Sequence, residues 1–341
     1  METPRIVAVG TAVPGRRFTQ AEVADLLGYR DPLRRSFFLN SGIDGRHLYS
    51  TAADPRPDET ADAMTARFAE GSVALGAEAI EACLDQAGLT ASDVDFLATT
   101  TCTGRLVPSL DAHLIGRIGL RPDIQRVHVG DTGCASAMVA LQQASNYLRA
   151  FPGRRALAVS VELCSTTYYL DDEPETAVAN AIFADGAGAV LLATAGTGAE
   201  VLGHRTLIRS EYLDRMGFTF PGGRYRVRLS PEVRRIAPAM MEELAGALLK
   251  DHGLGREEIR FWVLHSAGRR VIENAQALLG LSAEDVGFSR EVLRQYGNMS
   301  SATVLFVLDA VLRRGRPARG DLGLMMALGP GFAAEGALLR F

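Results

Sequence analysis

Apolar runs of strand length alternate along this chain with longer stretches of helical spacing. Residues 6–9, 94–100, 126–129 and 156–161 are rich in apolar and β-branched side chains and are bounded by Gly, Pro or polar clusters, which predicts strands. Between them, residues 71–86 and 135–149 repeat apolar positions at the period of one helix face. The alternation predicts a layered α/β fold with helices covering mixed or parallel sheets. No low-complexity segment or Pro-rich linker interrupts it, and the nearest thing to a boundary is Ala-Thr-Ala-Gly-Thr-Gly-Ala-Glu at 193–200.

The pattern repeats faintly across that boundary. Gly88-Leu-Thr-Ala-Ser-Asp-Val-Asp-Phe-Leu-Ala resembles Gly255-Arg-Glu-Glu-Ile-Arg-Phe-Trp-Val-Leu: a helix end, an acidic turn, then a buried strand. Ala184-Asp-Gly-Ala-Gly-Ala-Val-Leu-Leu resembles Phe332-Ala-Ala-Glu-Gly-Ala-Leu-Leu-Arg, a small-residue strand closing each stretch. Two related halves, 1–195 and 196–341, follow from this reading. Cys134 and Asn298 would then each precede a helix in their own half, and His265 would end a strand in the second. A pseudo-twofold axis would bring the three together at the junction.

At 341 residues the chain has room for one large domain or two of ordinary size. With 47% hydrophobic and 22% charged residues it can build a large core. A net charge of −4 gives no electrostatic case for nucleic acid. No run approaches the roughly 20 apolar residues of a membrane helix, and the N-terminus lacks the features of a signal peptide. The four cysteines, Cys83, Cys102, Cys134 and Cys164, form neither CxxC pairs nor a Cys/His cluster at zinc spacing. The expectation is a soluble, cytoplasmic protein with no metal site.

Three residues carry candidate chemistry. Cys134 lies in Val129-Gly-Asp-Thr-Gly-Cys-Ala-Ser-Ala-Met, after a predicted strand and at the start of an apolar helix. Unpaired N–H groups and the helix dipole there favour a thiolate, and Gly133 lets the chain turn sharply. A buried structural cysteine is the alternative, and Cys83 and Cys164 in apolar contexts read as core or wall residues. His265 ends the run Phe261-Trp-Val-Leu, at the strand edge where α/β proteins place ligands. It could pair with a thiolate, relay a proton, or donate to a developing oxyanion; it could also be a satisfied core histidine. His128, in the strand before Cys134, is the second choice. Asn298, in Tyr296-Gly-Asn-Met-Ser-Ser-Ala, reads as a helix cap or as a neutral donor beside His265. Two neutral donors stabilise an enolate oxygen without offering it an acidic proton, and one is worth roughly 3 kcal/mol in a transition state.

Asp131-Thr-Gly-Cys-Ala, Ile182-Phe-Ala-Asp-Gly-Ala, Phe261-Trp-Val-Leu-His, Tyr296-Gly-Asn-Met-Ser-Ser-Ala and Leu328-Gly-Pro-Gly-Phe stand in the order and spacing of type III polyketide synthases. The chain resembles this chalcone synthase-like branch of the thiolase superfamily, in its bacterial form, from about residue 46 to the C-terminus. The resemblance implies the five-layered αβαβα thiolase-like fold of two pseudo-symmetric halves, assembled as a homodimer. It also implies an acyltransferase that performs decarboxylative Claisen condensation of malonyl-CoA onto an acyl-CoA starter, iteratively and with cyclisation. CoA thioesters are the substrates, and no metal or redox cofactor is implied.

By the same resemblance Cys134 is the nucleophile, and His265 and Asn298 bind the thioester carbonyl and the enolate left by loss of CO2. Phe183 resembles the gatekeeper between CoA tunnel and elongation cavity, and Tyr225 the second gatekeeper, with Phe220 competing. Cys102, 32 positions before the nucleophile, stands where plant members have a cavity-lining threonine and bacterial tetrahydroxynaphthalene synthases a cysteine. Ser165 and Thr167 are expected on the same wall, and Gly329, Pro330 and Gly331 in the loop that shapes it. Arg46, Arg269 and Arg270 are the candidates for CoA phosphates and read equally as solvated surface arginines.

The chain departs from the family at Ser266-Ala-Gly after His265, where Pro-Gly or a small Gly-containing pair is usual, at Asp131-Thr-Gly, and over 218–228. These departures bear on CoA approach and cavity shape. The nearest rival is a ketoacyl-ACP synthase III-like enzyme, condensing once with an acyl carrier protein as malonyl donor. A fold-retaining inactive partner is a second, discouraged by the intact Cys-His-Asn set. A thiolase is disfavoured because no cysteine follows Cys164.

Overall fold

The structure is a computed structural model and describes residues 2–50 and 59–341. The first strand, β1 (Arg5–Ala12), leads into a small pair, β2 (Arg17–Thr19) and β3 (Gly45–His47), which brackets α1 (Gln20–Leu26) and α2 (Pro32–Leu39). Next come α3 (Ala61–Ala87), β4 (Phe96–Thr101), α4 (Leu110–Ile118), β5 (Gln125–Gly130), α5 (Ser136–Ala150), β6 (Arg155–Leu163), α6 (Pro174–Ile182) and β7 (Asp185–Ala193). After the turn at 194–198 follow β8 (Ala199–Ile208), the hairpin β9 (Met216–Thr219) and β10 (Arg226–Leu229), and α7 (Val233–Asp251). The chain ends with β11 (Ile259–Leu264), α8 (Arg269–Leu279), α9 (Gly287–Tyr296), α10 (Thr303–Ala310), β12 (Leu322–Gly329) and β13 (Ala333–Arg340).

Nine strands run in the order β11-β12-β13-β8-β1-β7-β6-β4-β5. The join between β8 and β1 is only two residue pairs, Arg5 with Glu200 and Ile6 with Ala199, so the order is two sheets meeting at a short seam. Side-chain alternation along the strands defines the layers. Leu97, Leu157, Val159 and Leu191 face α3 and α4, while Ala98, Ala158, Val190 and Leu192 face α5 and α10. In the other sheet Val263, Met325, Ala337 and Leu339 face the same two helices, and Trp262, Leu264, Met326 and Leu338 face α7 and α8. Two outer helical layers, two sheets and a central pair of apolar helices make the five-layered αβαβα architecture.

All four expected strands and both expected helices are present, with shifted bounds. α3 begins ten residues before the predicted start because Arg67 occupies its buried face and interrupts the apolar period. Glu59 neutralises Arg67 at 2.7 Å, and Thr60 caps the helix by accepting from the Ala63 N–H. β6 extends past the expected end at 161 to include the buried Glu162. Among the described residues no helix is long and apolar enough to cross a membrane.

α3 lies against β1 closely enough that Gly10 has no room for a side chain: a Cβ there would sit 2.2 Å from the Ala79 carbonyl oxygen and 2.4 Å from the Cys83 nitrogen. Gly10→Ala must therefore displace backbone rather than a flexible side chain. Overpacking of this kind costs about 3 kcal/mol, which a lowered urea midpoint with unchanged slope will show.

Candidate active site

The chain leaves β5 through two residues of positive φ, Asp131 at 60° and Gly133 at 63°, and places Cys134 in a single 3-10 turn before α5. Gly133 is required here on two counts, since an added Cβ would also lie 2.1 Å from Pro330 Cδ. The 329–331 loop at the end of β12 therefore closes directly on the Cys134 turn. Cys134 is partly exposed, and its Sγ lies 3.2 Å from Ser300 Oγ. Burial pushes the thiol up to about 12, and the Ser300 hydroxyl opposes this only in part. Burial of the sulfur thus acts against the helix-start position that favours a thiolate.

His265 follows β11 as expected and is 1% exposed. Its backbone N–H donates to Met326 O on the neighbouring strand β12, yet neither ring nitrogen has a hydrogen-bond partner among the described residues. Burial lowers its pKa to about 4, so the imidazole is neutral at physiological pH. Asn298 is held on all sides. Its Oδ1 accepts from the Ser300 N–H at 2.9 Å and its Nδ2 donates to the Ala267 carbonyl at 3.1 Å, which fixes the amide orientation and leaves one N–H free. A path of hydrogen bonds therefore runs from Cys134 Sγ through Ser300 and Asn298 to Ala267, two residues beyond His265. Neither His265 nor Asn298 is among the side chains lining the small cavity beside the sulfur, though the Asn298 carbonyl lies 4.0 Å from Cys164 Sγ on its wall. His128 is placed elsewhere: its Nδ1 sits 2.8 Å from Thr99 Oγ1 within the β4–β5 ladder.

The cavity beside Cys134 is lined by Cys102, Cys164, Thr167, Phe183 and Pro330, all singled out in the sequence as cavity or wall positions. Several expectations are corrected. Ser165 is fully buried and turned away, donating to the Asp185 carboxylate at 2.6 Å and accepting from Arg67. Tyr225 lines a neighbouring pocket, and Phe220 is 55% exposed; the aromatic ring that reaches the cavity is Phe218, against whose edge Tyr225 stacks. Gly329 and Gly331 shape the turn without lining the cavity, Gly329 because Thr132 O would be 2.6 Å from any Cβ. Phe218 enters the cavity from the β9–β10 hairpin, so the position of that hairpin bears on the room beside the sulfur.

Arg46 is not a surface residue. It is fully buried, and its Nη1 donates to the Phe183 carbonyl at 2.5 Å, which removes it from the phosphate candidates. Arg269 and Arg270 are exposed at the start of α8, Arg269 3.9 Å from Glu273, and remain available to an anionic ligand.

Two residues of the site escape sequence reasoning. Ser300, at φ 48°, touches the sulfurs of both Cys134 and Cys102, at 3.2 and 3.3 Å. Glu162 accepts from Ser301, from Thr103 at 2.9 Å and from the Cys102 N–H at 3.1 Å. Burial raises its pKa, with those hydrogen bonds opposing. A carboxylate ending an otherwise apolar strand was the available signal. Among the described residues no group of three His, Cys, Asp or Glu side chains could hold a metal ion.

Residues 34–203 match the family model described as FAE1/type III polyketide synthase-like protein, and residues 217–341 match the C-terminal domain of chalcone and stilbene synthases. The chain is 36% identical to the 3,5-dihydroxyphenylacetyl-CoA synthase of Amycolatopsis balhimycina, over 100% of this chain and 94% of that one. It is 33% identical to the 1,3,6,8-tetrahydroxynaphthalene synthase of Streptomyces peucetius subsp. caesius, over 98% and 93%. Among solved structures, PKS-I of the brown alga Ectocarpus siliculosus superposes with a TM-score of 0.91 at 31% identity, covering 99% of this chain and 98% of that one. The tetrahydroxynaphthalene synthase of Streptomyces coelicolor A3(2) gives 0.91 at 27%, covering 99% of each.

A thiol whose pKa is raised by burial reacts in proportion to its small thiolate fraction. Alkylation of Cys134 by iodoacetamide in the resting enzyme should therefore climb about tenfold per pH unit from pH 7 to 9 without levelling. A plateau already reached at pH 7 would reveal a preformed thiolate and contradict the geometry described.

Proposed function

The chain belongs to the type III polyketide synthases, and from that premise we propose how its residues divide the work of a decarboxylative Claisen condensation. The observation that carries the proposal is the hydrogen-bonded path from Cys134 through Ser300 and Asn298 to the His265 turn. Cys134 Sγ attacks the starter thioester carbonyl and its proton passes to the neutral His265 imidazole. The departing CoA sulfur takes that proton up, leaving an acyl-enzyme. Malonyl-CoA then binds with its thioester oxygen facing His265 and the free N–H of Asn298. Cleavage of the C–CO2 bond leaves its electron pair as an enolate on that oxygen, stabilised by two neutral donors. The enolate carbon attacks the acyl-enzyme, a C–C bond forms, and the Cys134 sulfur leaves. The extended CoA thioester can reload the nucleophile for another round and finally cyclise.

Phe183 presents an apolar ring where the malonyl carboxylate would sit, which favours the uncharged CO2 over the anion. Loss of CO2 drives the bond formation, so the steps call for no metal or redox cofactor. Arg269 and Arg270, exposed at a helix start, are the residues suited to the CoA phosphates. The halves 1–195 and 196–341 are the units we propose for this architecture, the first supplying Cys134 and the second His265 and Asn298. A second copy of the chain is the proposed partner: among the described residues β5 ends the strand order with one edge unpaired. The free thiols around the cavity suit a reducing, cytoplasmic setting.

Purified enzyme supplied with malonyl-CoA, alone and with a panel of acyl-CoA starters, should give chain-extended products by mass spectrometry. Cys134→Ala should lower them by roughly a thousandfold or more while malonyl-CoA decarboxylation continues. Undiminished product from Cys134→Ala rejects the nucleophile assignment. Extension with malonyl-acyl carrier protein but not malonyl-CoA would favour the single-condensation alternative.

A further inference from the structure

We propose that Arg46 is a positioning residue that sets the geometry of Phe183 and Asn298 together, and so controls decarboxylation from outside the cavity. The inference rests on the division of work proposed above.

Arg46 carries a positive charge into a fully buried position and has no carboxylate partner there. The nearest buried carboxylate, Asp185, is committed to the Ser165 and Tyr49 N–H groups at 2.7 Å each and to the Ser165 hydroxyl. Arg46 Nε and Nη2 have no hydrogen-bond partner among the described residues. A guanidinium so poorly compensated is an expensive way to fill space, which an apolar side chain of like volume would do better. What it does have is one strong directional contact: Nη1 to the Phe183 carbonyl at 2.5 Å. The same oxygen accepts from Tyr168 OH at 2.9 Å, so both of its lone pairs are used. Arg46 Nη1 also reaches Tyr168 OH at 3.3 Å, closing a three-membered cluster.

The pinned carbonyl sits within the bridge to Asn298. The Asn298 N–H donates to Ile182 O and the Ala184 N–H donates to Asn298 O, both at 2.9 Å, so residues 182–184 and Asn298 move as one. The stem of Arg46 closes the other side: a Cβ on Gly297 would lie 3.5 Å from Arg46 Cβ. One side chain thus holds the backbone beneath the gatekeeper ring and flanks the approach to the carboxamide. Cys134 sits on a separate element, the turn between β5 and α5, and meets Asn298 only indirectly, through Ser300. Displacing Arg46 should accordingly impair enolate formation and spare the nucleophile.

The test compares Arg46→Met, Arg46→Lys and Tyr168→Phe with wild-type enzyme in two assays, malonyl-CoA decarboxylation and iodoacetamide alkylation of Cys134. For Arg46→Met, decarboxylation kcat should fall about 30- to 100-fold, as expected for a misplacement near 1 Å. KM should change by less than about threefold and alkylation by less than about twofold. Arg46→Lys should recover part of the rate, and Tyr168→Phe, which keeps the ring, should lose about three- to tenfold. Equal losses in both assays would reduce Arg46 to a general structural role. A raised KM at unchanged kcat would return it to CoA binding. Either overturns the proposal, as does an unchanged decarboxylation rate in Tyr168→Phe, which decides the matter if Arg46→Met does not fold. Wild-type enzyme that fails to decarboxylate malonyl-CoA would instead refute the underlying reading of the site.

Discussion

The pair of backbone hydrogen bonds between Asn298 and the chain around Phe183 is the constraint on which the rest of the site depends. It joins the link between α6 and β7 to the loop that enters α10 in the second stretch of the chain. Gly297 makes the join feasible: at φ 75° its missing side chain leaves room for the Ile182 oxygen, which would lie 3.0 Å from a Cβ. From this bridge the carboxamide reaches Ala267 on one side and Ser300 on the other, so His265 and Cys134 are both referenced to one peptide. The remaining layers can be read as scaffolding that keeps this short segment from drifting.

Burial sets the electrostatics of the site in a consistent direction. It raises the thiol of Cys134, lowers the imidazole of His265 and raises the carboxyl of Glu162, in each case favouring the uncharged form. Chemistry that makes a carbanion equivalent benefits from this. In general a neutral imidazole and a carboxamide can donate hydrogen bonds to a developing enolate oxygen, whereas an imidazolium would hand over a proton and quench it.

Much of this was legible in the chain before any coordinates. Layering showed in the alternation of apolar runs. The turn before Cys134 showed in Gly133, the strand end in Phe261-Trp-Val-Leu, and the carboxamide in its loop before an apolar helix. What stayed hidden has a common cause: polar side chains that face inward carry no periodic signal of their own. Arg46 reads as a surface arginine because arginines are mostly exposed, and only the fold shows a carbonyl waiting for it. Arg67 broke the helix period for the same reason. Ser300 and Ser165 are indistinguishable by type, yet one touches two cavity sulfurs and the other is turned toward Asp185. Phe218, Phe220 and Tyr225 lie within eight residues, and it takes the twist of a hairpin to decide which ring enters the cavity.

The Ser-Ala-Gly that follows His265 can now be placed in that frame. Ser266 is fully buried and donates to the Ser289 carbonyl at 2.6 Å, while the Ser289 hydroxyl returns a bond to Leu264 O at 2.9 Å. This reciprocal clasp ties the end of β11 to α9 on both sides of the imidazole. Ala267 then offers its carbonyl to Asn298, a contact that needs only backbone and a small side chain. This departure from the family pattern is therefore built into the support of His265 and Asn298. Its consequence falls on how firmly the imidazole and the carboxamide are held, and the exposed Arg269 and Arg270 begin only where that support ends.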